Sequence, residues 1–267
     1  MKQQSTLIVT LLSCILVLSC NKDTQTHISY NSYEWVSDDL DGGDWLQVVI
    51  PADKTFDIAI PASTQSDSYQ TELASMVELN NKMSQTEIEI ADYWTSNPLL
   101  RWNEIARDLA AKYNLSPAPN SDGIYTLPDV NNPSSYPRFP FAHPPYTCRM
   151  LAYVQVAVFD ALIECWQLNA TYNRPAPHKI AQGLEPYYAA QNLPSYPSQG
   201  ATVTGVAQAI LTAMFPLEKD YIAAKADEHL KSLIYTGSHV QSDVDAGKLL
   251  GTQVAAEVMK RAATDGM

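Results

Sequence analysis

Eight of the chain's 17 prolines fall between residues 114 and 145, at positions 117, 119, 128, 133, 137, 140, 144 and 145. Proline removes a backbone donor and clashes with the preceding helical turn, so no helix crosses this stretch. Helical periodicity lies on both sides of it, which makes the chain two sets of helices joined by a loop of about 30 residues. A loop of that length in a compact domain is functional or closely packed. Its aromatics, Tyr125, Tyr136, Phe139, Phe141 and Tyr146, predict packing on the helices, where it could roof a pocket.

Before the loop, Leu73, Met76, Val77 and Asn80 mark one face of a first helix. Ser84-Gln85-Thr86-Glu87 has the reciprocal capping pattern that opens a second, running through Trp94. A third begins near Pro98 and buries Trp102, Ile105, Ala106, Leu109 and Tyr113. After the loop come helices at about 147–169, with Leu151, Val154, Val158, Leu162 and Cys165 on one face, then 181–191, 201–215, 217–235 and 242–264, the last with Ser242 as N-cap. Gly247, Gly251, Val254 and Val258 make a narrow face on that last helix, suited to close approach of another. Residues 66–267 therefore read as an all-α bundle. Residues 20–65 form a tether and a small irregular region, in which the runs 45–50 and 56–60, closed by Pro51 and Pro61, predict a hairpin. Asp38-Asp39-Leu40-Asp41-Gly42-Gly43-Asp44 lacks the spacing and distal Glu of a calcium loop and reads as an acidic turn.

Composition narrows the function classes. A chain that is 46% apolar is not disordered, and a formal charge of −12, with 29 acids against 17 thinly spread bases, argues against a nucleic-acid partner. Lys2 precedes an apolar run at 7–18 that is shorter than a bilayer span and ends Ser19-Cys20. Residues 1–19 thus read as a secretory signal and Cys20 as a lipidation site, giving an exported bacterial lipoprotein, periplasmic or on the cell surface, with 21–26 as tether. An ordinary signal peptide with an incidental cysteine is the alternative. Cys148 and Cys165 on one helix would stand about 25 Å apart, too far for a disulfide, and read as two small buried apolar residues.

Three ordered blocks lie in the second half. Tyr172-Asn173-Arg174-Pro175 closes the long helix; Tyr196-Pro197-Ser198-Gln199-Gly200-Ala201 opens the next long one; Ser232-Leu233 is followed by His239 and Asp243. In order and spacing they resemble the signature of the type 2 phosphatidic acid phosphatase (PAP2) and vanadium haloperoxidase superfamily, and the resemblance runs from about residue 66 to the end. It implies that family's helical fold and one of two activities: phosphoester hydrolysis through a phosphohistidine, or peroxidase chemistry on bound vanadate. Phosphatase chemistry would need no cofactor. By the same resemblance His239 is the nucleophile and Asp243 its orienting partner. Arg174, Gln167, Ser198, Gln199 and Gly200 fall at the anion-binding positions. The substrate implied is a small phosphorylated or otherwise anionic molecule. The membrane is met only through the lipid anchor, and a homodimer is compatible with the pattern.

The departures are specific. Gln167 stands where the family has Lys, Gly200 where it has the general acid, and Leu233 where it has a second Arg. Losing two cations removes charge-assisted bonds of about 1.5–3 kcal/mol each, and losing the acid costs about 10²–10⁴ in rate. Weakened or lost activity is expected, with a non-catalytic binding or scaffold lipoprotein as the alternative. His178 or Lys179 could substitute from another direction. His239 and Asp243 also read as an ordinary pair at a helix start, Asp243 being favoured there by the helix dipole, and Arg174 as a ligand of helix-end carbonyls. His143, His178 and His229 read as structural or solvated, and His27 as part of the tether. No pattern of metal ligands is present. The chain ends at Asp265-Gly266-Met267, just past its last helix.

Overall fold

The structure is a computed structural model that describes residues 41–266 except 96, 115–118, 127–128, 130, 133, 136–141, 143, 182, 185 and 188–192. Residues 1–19, read above as a secretory signal, Cys20, residues 21–26, His27 and His143 lie outside the described residues, as does much of the proline-rich loop.

Among the described residues there are seven α-helices: α1 (Asp67–Asn81), α2 (Gln85–Thr95), α3 (Pro98–Lys112), α4 (Pro144–Tyr172), α5 (Gln199–Met214), α6 (Lys219–Tyr235) and α7 (Gln241–Ala262). Local chemistry sets their starts. Ser66, Asn97 and Ser198 each accept a first-turn amide as N-cap. Ser84 and Glu87 form the expected reciprocal cap, with Ser84 N donating to Glu87 Oε2 at 2.7 Å. Pro144 and Pro145 sit in the first turn of α4, where no amide is needed, so that helix begins earlier than the proline density suggested. The α7 helix starts one residue before Ser242. Its N-cap is Val240, whose amide donates to Asp243 Oδ2 at 2.9 Å, while the Ser242 side chain turns to other partners.

The centre of the molecule is the seam between α5 and α7. A Cβ at Gly247 would lie 2.3 Å from Ser198 O, and one at Gly251 only 2.0 Å from Thr202 O. The two backbones are therefore in direct contact, which only glycine permits. Val254 and Val258 continue the face below them, fully buried. The stripe of α3 is also buried at Trp102, Ile105, Ala106 and Leu109, with Tyr113 half-buried at its end. The long α4 lies against α5 and α7, and its face buries Val154, Val158 and Cys165.

Four further expectations change. Residues 45–60 form no strand; they run as a strap over the helices. The amides of Val48, Val49 and Ile50 donate to the buried carboxylate of Asp160 on α4 at 2.7, 2.8 and 3.0 Å. A side chain has taken the donors that a partner strand would have used. Tyr125 in the proline-rich loop is 62% exposed and does not pack on the helices. The helix expected near 181–191 falls partly outside the described residues, and the described part, 181, 183, 184, 186 and 187, is not helical. Both described cysteines are free, but Cys148 is exposed and only Cys165 is buried.

Candidate functional site

Helix ends converge on one spot at the top of the α5/α7 seam. Asn173 ends α4 in the left-handed region, at φ 44°, which asparagine tolerates better than most residues. The turn sends Arg174 back across the start of α7. There its Nε donates to Asp243 Oδ1 at 3.1 Å, its Nη2 also donates to that oxygen, and Nη2 reaches Ser242 Oγ at 3.1 Å. The guanidinium and the carboxylate are both buried. Two aromatic faces enclose the cation, with Tyr196 at 4.5 Å and Tyr69 at 5.1 Å.

Asp243 is the hub. Besides Arg174 it accepts from Val240 N and from Ser195 Oγ at 3.1 Å, while its own carbonyl accepts Ser198 N at 3.0 Å. One residue thereby joins the ends of α4, α5 and α7. Burial raises its carboxyl pKa, and the His239 imidazole and Arg174 guanidinium oppose that rise. A second carboxylate comes from α1: Glu72 Oε2 accepts from Ser242 Oγ at 2.6 Å and from Ser242 N at 3.2 Å. The cluster thus holds one cation and two carboxylates.

His239 does not bond the carboxylate. Its Nδ1 lies 4.0 Å from Asp243 Oδ2 and instead donates to the Ser195 carbonyl at 3.2 Å. With the proton on Nδ1, Nε2 carries the lone pair. The side chain is 17% exposed, and burial lowers its pKa, so the ring is neutral at pH 7. Ser195, not Asp243, orients the imidazole.

The other predicted site residues are placed differently. Gln167 is exposed, and its Nε2 donates to Gly43 O at 2.7 Å, beneath the short turn Gly42–Asp44. Two residues from Asn169, and so about 200° around the helix from it, Gln167 lies on the strap side of α4. The α4 side chain that does face the α5 start is Asn169, whose Nδ2 donates to Pro197 O at 2.9 Å and whose Oδ1 accepts from Gln199 at 3.5 Å. Ser198 caps α5. Gly200 packs against Leu233: a Cβ there would come within 2.8 Å of Leu233 Cδ2. The two positions where the resemblance expected an acid and a cation thus fill one another. His178 is half-buried and Lys179 exposed in the short turn Pro177–Lys179.

Of the two readings of His229, structural and solvated, the fold has the structural one. The residue is fully buried, because α6 is covered on a second side by α1 and α2, with Trp102 of α3 reaching the ring. The ring stacks on Trp94 at 4.5 Å, and its Nδ1 accepts Trp102 Nε1–H at 3.1 Å and lies 2.6 Å from Thr204 Oγ1. An indole nitrogen can only donate, so the neutral ring carries its proton on Nε2. That Nε2 has no partner among the described residues, and burial pushes the pKa down to about 3.

No family model matches the chain, and no curated protein matches it. Among solved structures, a bacterial vanadium-dependent iodoperoxidase is similar at 23% identity over 77% of this chain and 52% of that one, with a TM-score of 0.56. The holo form of a bacterial vanadium-dependent chloroperoxidase is similar at 13% identity over 83% of this chain and 54% of that one, with a TM-score of 0.63. A transmembrane PAP2-type phosphatidylglycerolphosphate phosphatase from Bacillus subtilis is similar at 14% identity over 75% of this chain and 89% of that one, with a TM-score of 0.44. The all-helical fold is that of the PAP2 and haloperoxidase type, and the chain spans about half the length of the two peroxidases. No helix of the described residues is long and apolar enough to cross a membrane.

A vanadate or phosphate bearing two or three charges does not fit the residues present. The single guanidinium is already neutralised by Asp243, Glu72 adds a second negative charge one serine away, Gly200 has no side chain to donate, and Leu233 offers only methyl groups.

Proposed function

We propose that the chain is an exported lipoprotein, acylated at Cys20 and held at the periplasmic or outer surface of a membrane, in which the fold's oxyanion site has become structural core. The domain serves as a non-catalytic binding or scaffold module. The observation that supports this most is the Arg174–Asp243 pair: the cation that would clamp an oxyanion instead locks three helix ends together. An anion entering the site would have to displace a buried carboxylate, which leaves that carboxylate unpaired at a cost of several kcal/mol.

One observation favours residual phosphoester chemistry. Ser195 holds His239 in the tautomer whose Nε2 has a free lone pair, as attack on phosphorus requires. The leaving alkoxide would then depart without a positioned acid, because Gly200 has no side chain to give.

The test is incubation with a chromogenic phosphomonoester and, separately, with vanadate, bromide and peroxide, for wild type and His239→Ala. The expected outcome is no turnover in either and no vanadate-dependent rise in Tm. Turnover that disappears in His239→Ala overturns the scaffold reading. The anchor is tested on its own: labelled palmitate enters the wild type and not Cys20→Ala.

A further inference from the structure

The strap carries an exposed apolar surface that the core does not use. Leu46 is 89% exposed, Val48 64% and Trp45 40%. Leu46 and Val48 stand either side of Gln47 and are both exposed. Gln47 between them turns inward to Glu164 Oε1 at 2.8 Å and Asp160 O at 3.2 Å. Trp45 is fixed in place by aromatic neighbours on α4, stacking on Phe159 at 6.4 Å and meeting Trp166 edge-on at 5.9 Å. Phe159, 37% exposed, extends the surface onto the helix. The Asp160 carboxylate clamps the strap just behind it. This is a rigid apolar ridge with an indole at its edge, the composition of groups that sit at a membrane interface.

We propose that this ridge docks on the lipid surface to which Cys20 tethers the chain. The inference rests on the lipoprotein reading. Trp45 follows Cys20 by 45 − 20 = 25 residues, a span of about 90 Å at most. Among the described residues it is the exposed apolar surface nearest along the chain to the acylated residue, so anchoring holds this surface at high effective concentration beside the bilayer. Asp41, Asp44 and Glu164 lie around the ridge, so attraction to anionic headgroups does not drive docking. The occupant is a zwitterionic bilayer entered by apolar insertion, and the contact is insensitive to salt.

The experiment uses the mature acylated chain with Trp35→Phe, reconstituted into phosphatidylcholine vesicles whose acyl chains are brominated. Indole fluorescence is quenched, the quenching is lost with Trp45→Phe, and it persists at high salt. Leu46→Glu with Val48→Glu lowers the docked fraction at least about tenfold, the value of one buried aliphatic side chain. Quenching that is the same with and without Trp45 overturns the proposal. So does a dimer in detergent that the double glutamate variant splits, since a second copy would then own the ridge. If palmitate is not incorporated, the anchor reading fails; the unacylated chain added to the same vesicles still tests the ridge, with quenching of Trp45 supporting it and no quenching overturning it.

Discussion

Acidifying the protein should unfold it through His229, and the size of the effect follows from its surroundings. The imidazole is buried between Trp94 and Trp102, and protonation would set an Nδ1–H against the indole N–H that now donates to it. In the unfolded chain the ring titrates near 6.5; in the fold burial holds it to about 3. Above 6.5 the ring is neutral in both states and contributes no pH dependence. As pH falls below 6.5 the unfolded state takes up a proton that the native state refuses, so stability drops by about 1.4 kcal/mol per pH unit, levelling off only near pH 3. Over the whole window the loss is about 5 kcal/mol, a large part of a typical domain's stability. At pH 4.5 it is about 2.7 kcal/mol. Other groups titrate in this range, His239 among them, so the measurement is a difference. Urea unfolding of wild type and His229→Gln is compared at half-unit steps from pH 7.5 to 4.5. Gln keeps an acceptor for Trp102 and has nothing to titrate. The stability gap between the two proteins should move by about 2.7 kcal/mol in favour of the variant across that range. A gap that stays constant would falsify the assignment of a neutral, proton-refusing His229.

Two further substitutions test the frame of the site. Arg174→Gln strands Asp243 in the core and should cost about 3–5 kcal/mol by urea unfolding, with much of it recovered in the double variant carrying Asp243→Asn; a loss under 1 kcal/mol would show that the pair is not the hub. Gly251→Ala drives a Cβ to within 2.0 Å of the Thr202 carbonyl, so the α5 and α7 backbones must part. A drop in stability of about 1–3 kcal/mol or more is expected, larger than for Gly200→Ala, which meets only the mobile end of Leu233; equal losses would refute the direct backbone contact.

What the sequence discloses is what depends on neighbours along the chain. Helical periodicity, the Ser84–Glu87 cap and the narrow glycine face of α7 are local patterns, and each appears in the fold where it was expected, except for the short helix near 181–191. The convergence of Arg174, Ser198, His239 and Asp243 follows from the ordered blocks. Tyr69, Glu72 and Ser195 carried no such signal, because a lone tyrosine, glutamate or serine acquires its role only when segments from 44 to 170 residues apart meet. The sequence leaves His229 between a structural and a solvated reading for a related reason: its neighbours in sequence describe a single helix, and burial on its second side depends on helices from the other half of the chain. Gln167 failed on geometry, since seven residues before Arg174 faces the strap and not the α5 start. The hairpin failed because Asp160, a hundred residues further on, supplied the acceptors.

The contact between the α5 and α7 backbones also determines what repairing the site would involve. With carbonyls of one helix lying against glycines of the other, the starts of α5 and α7 keep their mutual position whatever side chains they carry. Reinstating an acid and a cation is then a matter of side chains alone, with no helix to be moved. The exchange has to be made in pairs: a histidine at position 200 finds Leu233 already in its space, and a new cation near Arg174 meets two carboxylates that are themselves committed to holding the helix ends.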